Sequence, residues 1–504
     1  MPRGKVRAWG PSVAVDASRV GARGSGCTVE FVPTRDTTSI VRVLEARAAE
    51  AVARARRFGR PVLASVTVPL EGEVDVAAAT FASRRADERW FVWEQPDRDG
   101  FAIGALGAAV TVDAVPGRNR FAQAAQMCSD VFRDAVRGED IDAPATGPIW
   151  VGGFSFYADG CSAPEWSSFT ATGLALPHLS IARSGSATHA TLNVMCRESD
   201  DPRRLAARAA GRLGALSTDP LPLVDPDPAG GYEIASVRPP EDFERSVDEG
   251  ARLVRAGAVE KLVLAREVRV SAARPFNPGA VFGALRAAYP SCYCFCAGTP
   301  EAAFIGASPE LLVRRAGSVL STVALAGSTR RSADPAVDDH LGERLLHSGK
   351  DREEHAIVVD TIERSLEPLS VWVTPAEEPA LVKVANIQHL ATPVRAQLAQ
   401  PRSVVDLVGA LHPTSAVGGE PWAKAEPLVR ELEQMDRGWY AAPVGWMDSF
   451  EDGEFCVALR CGLLAGRVAH CFAGGGVVGE SQPDAELAET EVKLMALLPA
   501  LTGS

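Results

Sequence analysis

Carboxylates in the last third of the chain have the spacing of a cation site. They fall in two predicted helices, over residues 338–366 and 484–497. Residues three apart share one face of a helix, so each helix can present carboxylates to a common point. Mg²⁺ prefers such oxygen ligands, and a solvated helix surface is the alternative interpretation. The carboxylates concerned are Asp351, Glu353, Glu354, Glu486 and Glu489.

A lysine and a glutamate stand beside apolar strand residues. Lys261 begins a strand predicted over 261–270, and Glu310 lies within one predicted over 304–313. Apolar surroundings disfavour both charged forms, which lowers the pKa of a lysine and raises that of a carboxyl. Lys261 would then be a usable general base and Glu310 a general acid. A lysine extending to water and an exposed turn carboxylate are the alternatives.

The glycine-rich run over residues 473–479 formally satisfies G-x-G-x-x-G. A dinucleotide site would need a following βαβ unit with an acidic residue about 20 positions on. The chain after Gly479 is too short for that unit. These glycines therefore predict a turn whose backbone amides approach an anion.

The elements that must position these residues alternate between strands and helices. Antiparallel-looking strands with helices grouped between them favour an α+β fold over a doubly wound sheet. Strands are predicted over 61–68, 89–93, 150–156, 261–270, 304–313, 318–325, 444–448, 455–463 and 468–473. Helices are predicted over 41–57, 122–136, 241–256, 338–366, 423–433 and 484–497.

Composition excludes several classes of protein. The 504 residues carry 52 Lys and Arg against 64 Asp and Glu, and a net charge of -12 is wrong for binding nucleic-acid phosphates. We find no apolar run long enough for a membrane helix and no signal-peptide pattern, so a cytoplasmic protein is expected. Ten cysteines are too dilute for a disulfide framework. Cys292, Cys294 and Cys296 alternate with aromatic residues, which predicts one buried strand face.

A stretch rich in Pro, Asp and Gly over residues 216–231 is the best candidate boundary in the chain. It separates an N-terminal half, 31–215, from a motif-rich half, 232–500. Residues 1–30 are rich in Gly, Arg and Ser, and we expect them to be mobile.

Several motifs taken together resemble the chorismate-utilising enzymes, which include isochorismate, salicylate, anthranilate and aminodeoxychorismate synthases. The resemblance is dense over residues 235–500 and weaker before them. It implies one large α+β domain over 31–500, with stacked β-sheets forming a core flanked by helices, and makes 216–231 an internal loop. The motifs are KLVLAR at 261–266, GASPE at 306–310, LAGS at 325–328, KDREEH at 350–355, HLATP at 389–393, RC at 460–461, FAGGG at 472–476 and ETEVK at 489–493.

Two segments indicate the subclass within this family. Aminodeoxychorismate synthases have a lysine nucleophile before the glycine of the LAGS motif, and here that position is Ala326. Residues 411–419 resemble isochorismate synthases, which favours addition of water to chorismate. A salicylate synthase, an aminating subunit that requires a glutamine amidotransferase, and an inactive chorismate-binding protein remain alternatives.

The resemblance also implies roles for individual residues. Lys261 would take a proton from the attacking water and Glu310 would protonate the departing hydroxyl. Glu354 and Glu489 would hold Mg²⁺, with Glu353 and Glu486 as nearby supports. The expected partner is chorismate alone, without an amidotransferase, and the protein is expected to be a monomer or weak homodimer. Expected substrate contacts are Gly327, Ser328, His389, Ala416, Leu459, Arg460, Gly475 and Lys493.

Overall fold

The computed structural model describes residues 37–112, 117, 119–138, 141, 143–225, 231–384 and 387–503. The segment 1–30, predicted to be mobile, lies outside the described residues. Helices span α1 Thr37–Phe58, α2 Val76–Ser83, α3 Arg120–Arg133, α4 Pro202–Gly214, α5 Pro240–Arg255, α6 Pro278–Ala288, α7 Pro335–Leu346, α8 Gly349–Leu366, α9 Val404–Leu411, α10 Trp422–Glu433, α11 Pro483–Leu494 and α12 Leu498–Thr502, with 3₁₀ turns at Pro164–Trp166 and Glu367–Leu369.

The strands form two large antiparallel sheets. They span β1 Val62–Leu70, β2 Trp90–Gln95, β3 Phe101–Leu106, β4 Val110–Val112, β5 Ile149–Phe154, β6 Thr172–Leu176, β7 Leu179–Ser184, β8 Ala187–Cys196, β9 Tyr232–Ser236, β10 Lys261–Ala272, β11 Tyr293–Gly298, β12 Ala303–Ser308, β13 Leu311–Ala316, β14 Val319–Arg330, β15 Ser370–Pro375, β16 Ala380–Lys383, β17 Ile387–Leu398, β18 Gly419–Glu420, β19 Pro443–Asp448, β20 Gly453–Val457, β21 Cys461–Ala465 and β22 Val468–Val477.

The first sheet has the strand order β1-β8-β7-β3-β2-β11-β12-β21-β22-β10-β18, with β9 on the edge of β10. The second has the order β15-β17-β14-β13-β20-β19-β5-β6-β4, with β16 on β17. Strands from before and after residues 216–231 are neighbours in both sheets, because β2 pairs with β11 and β5 pairs with β19. Neither half of the chain therefore has a sheet of its own.

The two sheets stack face to face. Rings from the first sheet contact rings from the second, as in the Phe101–Trp446 pair, whose centroids are 5.8 Å apart. Large aromatic side chains fill this layer, where each removes a large apolar area from water. The other face of the first sheet packs against helices that include α1, α2 and α6. The predicted α+β fold of stacked sheets flanked by helices is confirmed.

The strand β11 has the predicted alternation. Cys292, Cys294 and Cys296 are buried in the cluster on the helix side of the first sheet. Tyr293 and Phe295 lie in the layer between the sheets. The nine described cysteines are all free thiols. Within the described ranges, none of the helices is both long and apolar enough to cross a bilayer.

The prediction of a single helix over 338–366 is wrong. The chain forms α7 and α8, separated at His347 and Ser348. Ser348 caps the new helix by accepting a hydrogen bond from the Asp351 backbone N–H, which satisfies one of its free amides. The break places the carboxylates of Asp351 and Glu354 in the first turns of α8, at the end of the helix that favours negative charge.

Two strands predicted as continuous are also wrong. Residues 304–313 form β12 in the first sheet and β13 in the second, and residues 455–463 form β20 in the second sheet and β21 in the first. The chain therefore crosses between the sheets at Pro309-Glu310 and again at residues 458–460. Arg460 has a left-handed backbone, with φ of 50°, which turns the chain out of the strand.

Candidate active site

A cavity of about 90 Å³ lies where the chain crosses between the two sheets. We call it the site cavity. Its wall is formed by the two crossings, the ends of β14, β17 and β22, and the helices α8 and α11. The predicted site residues that line it are Glu310, Gly327, Ser328, Glu354, His389, Ala416, Leu459, Arg460, Gly475, Glu486, Glu489 and Lys493.

The two crossings are hydrogen-bonded to each other, which places Glu310 and Arg460 at the same cavity. The Val457 backbone N–H donates to the Glu310 carbonyl at 3.0 Å, and the Ala307 N–H donates to the Arg460 carbonyl at 3.3 Å. The Ser308 hydroxyl closes the arrangement by donating to the Val457 carbonyl. Both functional side chains are therefore held by backbone and not by a mobile loop.

Glu310 is a buried carboxyl that holds its proton. Burial raises the pKa of Glu310 to about 8, although the positive charges of Lys261, Arg460 and Lys493 act in the opposite direction. The desolvation cost exceeds these attractions because the side chain is only 4% exposed. At neutral pH the group is mainly protonated, so it can donate a proton to a leaving group in the cavity.

Lys261 is fully buried behind the cavity wall and does not itself line the cavity. Its ammonium lies 2.8 Å from Glu354 Oε1, close enough for an ion pair but without hydrogen-bond alignment. Gly476 lies against both groups, since a Cβ there would stand 3.0 Å from Lys261 Cε. Lys261 can reach a molecule in the cavity only after it separates from Glu354.

Four carboxylates from two helices line the cavity, and Glu354, Glu486 and Glu489 each contact a cation. Glu354 contacts Lys261, while Glu486 accepts hydrogen bonds from Lys350 at 3.3 Å and from Ser481 at 2.8 Å. Burial and the neighbouring Glu489 charge raise the pKa of Glu486. A cation bound beside Glu486 and Glu489 would offset the repulsion between their charges.

Glu489 keeps its charge in the same surroundings. Burial alone would raise its pKa, but Lys493 and Ser328 outweigh burial and lower it to about 2. Lys493 lies 2.6 Å from Glu489 Oε1, and the Ser328 hydroxyl donates to the same oxygen at 2.9 Å. Glu489 is thus an ionised carboxylate held in place by two donors.

The placement of Glu353 among the metal supports is corrected by the structure. Its side chain is exposed and does not line the cavity. Asp351 and Glu354, three residues apart, share the cavity face of α8, and Glu353 is turned about 100° away from Glu354 around the helix axis. Asp351 takes its place in the wall, where burial raises its pKa.

The turn predicted at the glycine run is wrong, because Gly474, Gly475 and Gly476 lie in strand β22. There they leave room for these carboxylates. A Cβ at Gly476 would stand 2.3 Å from Glu354 Oε1, and one at Gly475 would stand 3.0 Å from Glu486 Oε2. The three carboxylates, all oxygen ligands in one wall, are the donor set that suits Mg²⁺. No three of these ligand atoms lie within 4.8 Å of one another, because each carboxylate contacts its own cation. The residues present supply oxygen ligands for a magnesium ion, and holding it would require the carboxylates to move together.

Cations and a neutral histidine complete the wall. Arg460 donates to His389 Nε2 at 3.3 Å, which makes that nitrogen an acceptor. Burial, followed by the charges of Arg460 and Lys493, lowers the pKa of His389 to about 3, so the ring is neutral. Lys493 also donates to the Gly474 carbonyl at 2.7 Å. This arrangement suits a substrate with carboxylates.

His355, the last residue of the KDREEH motif, lies behind the wall. It is 3% exposed and contacts the Ala326 carbonyl at 3.2 Å and the Thr392 hydroxyl at 2.7 Å. Those two contacts satisfy both ring nitrogens. The residue supports β14 and β17 and does not face the cavity.

Sequence reasoning missed the buried pair of Arg437 and Glu433. Arg437 donates to the Val263 carbonyl at 2.9 Å and to the Val417 carbonyl at 2.8 Å, and Glu433 accepts from the Ala265 N–H at 2.7 Å. The pair therefore fixes the strand of Lys261 against the segment that contains Ala416. The spacing of four residues was the available signal, but it also fits an ordinary surface pair.

One compact group of potential metal ligands lies elsewhere in the described residues. Glu165, Glu267 and His470 have ligand atoms within 4.8 Å of one another. Glu267 already accepts hydrogen bonds from Arg269 at 3.0 Å and from His470 at 2.8 Å. These contacts satisfy the buried carboxylate without a metal.

The stacked sheets and the acid-bearing, cation-rich cavity between them define a class of enzyme that acts on small anionic substrates. Residues 48–502 match the family model of the chorismate binding enzymes. The chain belongs to this family. The resemblance identified from the motifs is confirmed.

Individual members of the family that resemble this chain are named as isochorismate synthases. The chain is 36% identical to a salicylate biosynthesis isochorismate synthase from Pseudomonas aeruginosa, over 90% of this chain and 93% of the relative. It is 30% identical to the isochorismate synthase MenF of Bacillus subtilis, over 92% and 99%. Among solved structures, the menaquinone-specific isochorismate synthase MenF of Escherichia coli superposes with a TM-score of 0.72 at 25% identity, covering 90% of this chain and 99% of that one.

Proposed function

We propose that the protein is an isochorismate synthase, which adds water at C2 of chorismate while the C4 hydroxyl departs. Hydroxide from water bonds to C2, the ring double bonds shift, the C4–O bond breaks and the departing oxygen leaves as water. The relatives from Pseudomonas aeruginosa and Bacillus subtilis, each covered almost completely, are both named as isochorismate synthases. The observation that carries the proposal is Glu310, a carboxyl protonated at neutral pH inside a cavity of cations.

The described residues divide the reaction between them. Lys261, once separated from Glu354, takes the proton from the attacking water. Glu310 gives its proton to the departing C4 oxygen. Arg460 and Lys493 bind the substrate carboxylates, and the neutral His389 keeps Arg460 oriented toward the cavity.

Product analysis separates the proposed reaction from two alternative reactions of the same family. Purified protein is incubated with chorismate and Mg²⁺, without ammonium or glutamine, and products are separated by chromatography with mass detection. Isochorismate in reversible balance with chorismate is the expected result. Salicylate with pyruvate would instead make the protein a salicylate synthase. Turnover that starts only on addition of ammonium would make it an aminating subunit.

We further propose Mg²⁺ as the cofactor, held by Glu354 and Glu489 with Glu486 close by. A bound Mg²⁺ would orient the ring carboxylate of the substrate and offset its charge. The support is the mutual repulsion of the carboxylates and the space that Gly475 and Gly476 leave for them.

Replacing Glu489 by Ala tests this assignment. We expect the Mg²⁺ concentration for half-maximal activity to rise by about tenfold or more, since a ligand is lost. Glu353→Ala is the matched control, because that exposed side chain does not line the cavity. Calorimetric titration with Mg²⁺ alone gives a second readout. Equal Mg²⁺ affinity in the Glu489→Ala variant and the unaltered protein would mean that the metal is held elsewhere.

The proposed enzyme works in the cytoplasm without a glutamine amidotransferase, as a monomer or weak homodimer. Its isochorismate would feed menaquinone or siderophore biosynthesis. The support is in the relatives' names, which include a menaquinone-specific and a 2,3-dihydroxybenzoate-specific synthase. Size-exclusion chromatography across a range of protein concentrations tests the oligomeric state.

A further inference from the structure

A second cavity, of about 310 Å³, lies between β8 and the helix α4 and shares no lining residue with the site cavity. Its size is at the lower end of the range for small-molecule sites. The floor is apolar and is formed by Val194, Met195, Leu205 and Ala209. We call it the α4 cavity.

The rim of the α4 cavity is strongly basic in a protein whose net charge is -12. Arg85, Arg197, Arg208 and Arg212 line it, against the carboxylates of Glu88 and Asp200. Arg212 forms an ion pair with Glu88. Among the described residues, the guanidinium groups of Arg85, Arg197 and Arg208 have no carboxylate partner.

Both carboxylates on the rim are already engaged. Glu88 accepts a hydrogen bond from the Arg85 backbone N–H at 2.8 Å in addition to its pair with Arg212. Asp200 accepts from the Arg197 backbone N–H at 2.7 Å. The surplus positive charge therefore has no anion of its own in this part of the structure.

The histidine in the wall reports this positive field. Burial lowers the pKa of His178, and the charges of Arg208, Arg212 and Arg85 lower it further. Three guanidinium groups from two separate elements thus act on one point of the cavity. Keeping like charges together costs free energy that an anionic ligand would offset.

We propose that the α4 cavity binds a small carboxylate with an apolar body. The carboxylate would lie between Arg208 and Arg85, because a guanidinium fork matches two carboxylate oxygens. The apolar body would cover the floor formed by residues of β8 and α4. A compact inorganic anion would leave that floor exposed to water. The proposal does not depend on the reaction at the site cavity.

Calorimetric titration with sodium benzoate tests the proposal on the full-length protein. We expect one benzoate at the α4 cavity, with an affinity that falls about tenfold in Arg208→Gln, the effect of losing one charge-assisted hydrogen bond. Arg85→Gln, on a different element, should weaken benzoate in the same way. Arg204→Gln is the matched control, since that exposed arginine on α4 does not line the cavity.

Three results would overturn the proposal. One is the absence of benzoate binding at millimolar concentration. Another is binding of equal strength in Arg208→Gln, Arg85→Gln and the control, which would place benzoate at the site cavity or elsewhere. The third is displacement of benzoate by an equal concentration of inorganic phosphate, which would show an anion site without selection for an apolar body.

Discussion

Glu310 shows how burial can outweigh several nearby positive charges. Three cations lie close enough to lower its pKa, yet desolvation raises the pKa to about 8. A carboxyl in this state is a proton donor at the pH of the cell, as general acid catalysis requires. The cations then serve the substrate's negative charges more than those of Glu310.

Replacing Glu310 by Gln should lower turnover about a hundredfold, because an amide has no proton to give to the departing oxygen. The shape and the hydrogen-bonding capacity of the side chain are nearly unchanged, so chorismate should still bind. Steady-state kinetics with isochorismate detection measures the effect. Turnover within about threefold of the unaltered enzyme would remove Glu310 from proton transfer, since such a loss is far below the usual contribution.

The same residue predicts how stability changes with pH. The folded-state pKa is raised above that of the unfolded chain, so the folded protein holds a proton that the unfolded chain releases. The free energy of unfolding should therefore fall as pH rises from about 4.5 toward about 8, by roughly 1 kcal/mol per pH unit from this group.

Denaturant unfolding of the Glu310→Gln variant and the unaltered protein, each at pH 5.5 and at pH 8.0, isolates this contribution. The variant should gain stability relative to the unaltered protein as pH rises. A difference that is independent of pH would contradict the raised pKa.

At the scale of elements, the glycines of strand β22 leave the space that the carboxylate side chains of the site occupy. Gly476 pairs with Val263 on β10, two residues after the buried Lys261 on the same strand. A Cβ at Gly476 would collide with Glu354 Oε1, which is the flexible end of a side chain and can swing away. The fold can therefore accept the added methyl group, but the carboxylate cannot stay in place.

Gly476→Ala should thus separate activity from stability. We expect turnover to fall about tenfold or more through misplacement of Glu354. The free energy of unfolding should change by no more than about 1 kcal/mol, as for a substitution without backbone strain. Gly138→Ala is the control, because a Cβ there meets nothing within 4 Å. Full activity in Gly476→Ala would show that the Glu354 position is not critical.

The sequence predicted where strands lie better than where a run of strand residues passes from one sheet to the other. The alternation that predicts a strand over 304–313 continues through Pro309 and Glu310, because both halves are buried strands that happen to belong to different sheets. The same holds for 455–463, where the left-handed turn at Arg460 is a property of tertiary packing. Local periodicity contains no information on which sheet a strand joins. The crossings, which position the acid and the arginine, therefore required the structure.

Site residues could be predicted where a family motif contains them. They were harder to predict where the rotation around a helix decides whether a side chain faces the cavity. Glu354 and Glu489 lie in the cavity wall as the motifs indicate, and Glu486, expected as a nearby support, lies there too. Glu353 was expected as a nearby support, and the helix turns it outward. The arginines of the α4 cavity come from three separate segments, at 85, 197 and 208–212, so no local spacing in the sequence predicts the cavity.

At the scale of the whole molecule, the two halves of the chain are interleaved and not joined end to end. Both sheets contain strands from each half, and one apolar cluster includes residues of both. Removing either half would leave long strands without neighbours and aromatic side chains in water. The loop over 216–231 therefore connects parts that depend on each other.

We expect the protein to unfold in a single thermal transition, with calorimetric and van't Hoff enthalpies in agreement. A fragment starting at residue 231 should not fold alone. Calorimetry of the full chain and circular dichroism of the fragment measure these two outcomes. Two resolved transitions, or a cooperative melt of the fragment, would show that the halves are separate domains.

The buried cysteine face of β11 gives this molecule its own reporter of opening. Thiolate is the reactive form, and burial raises the pKa of Cys292 to about 12 and those of Cys294 and Cys296 well above the ordinary value. A maleimide can modify these thiols only when the central strand of the first sheet is exposed. The rate at which they are alkylated therefore follows the lifetime of the closed core, and no cysteine has to be introduced by mutation.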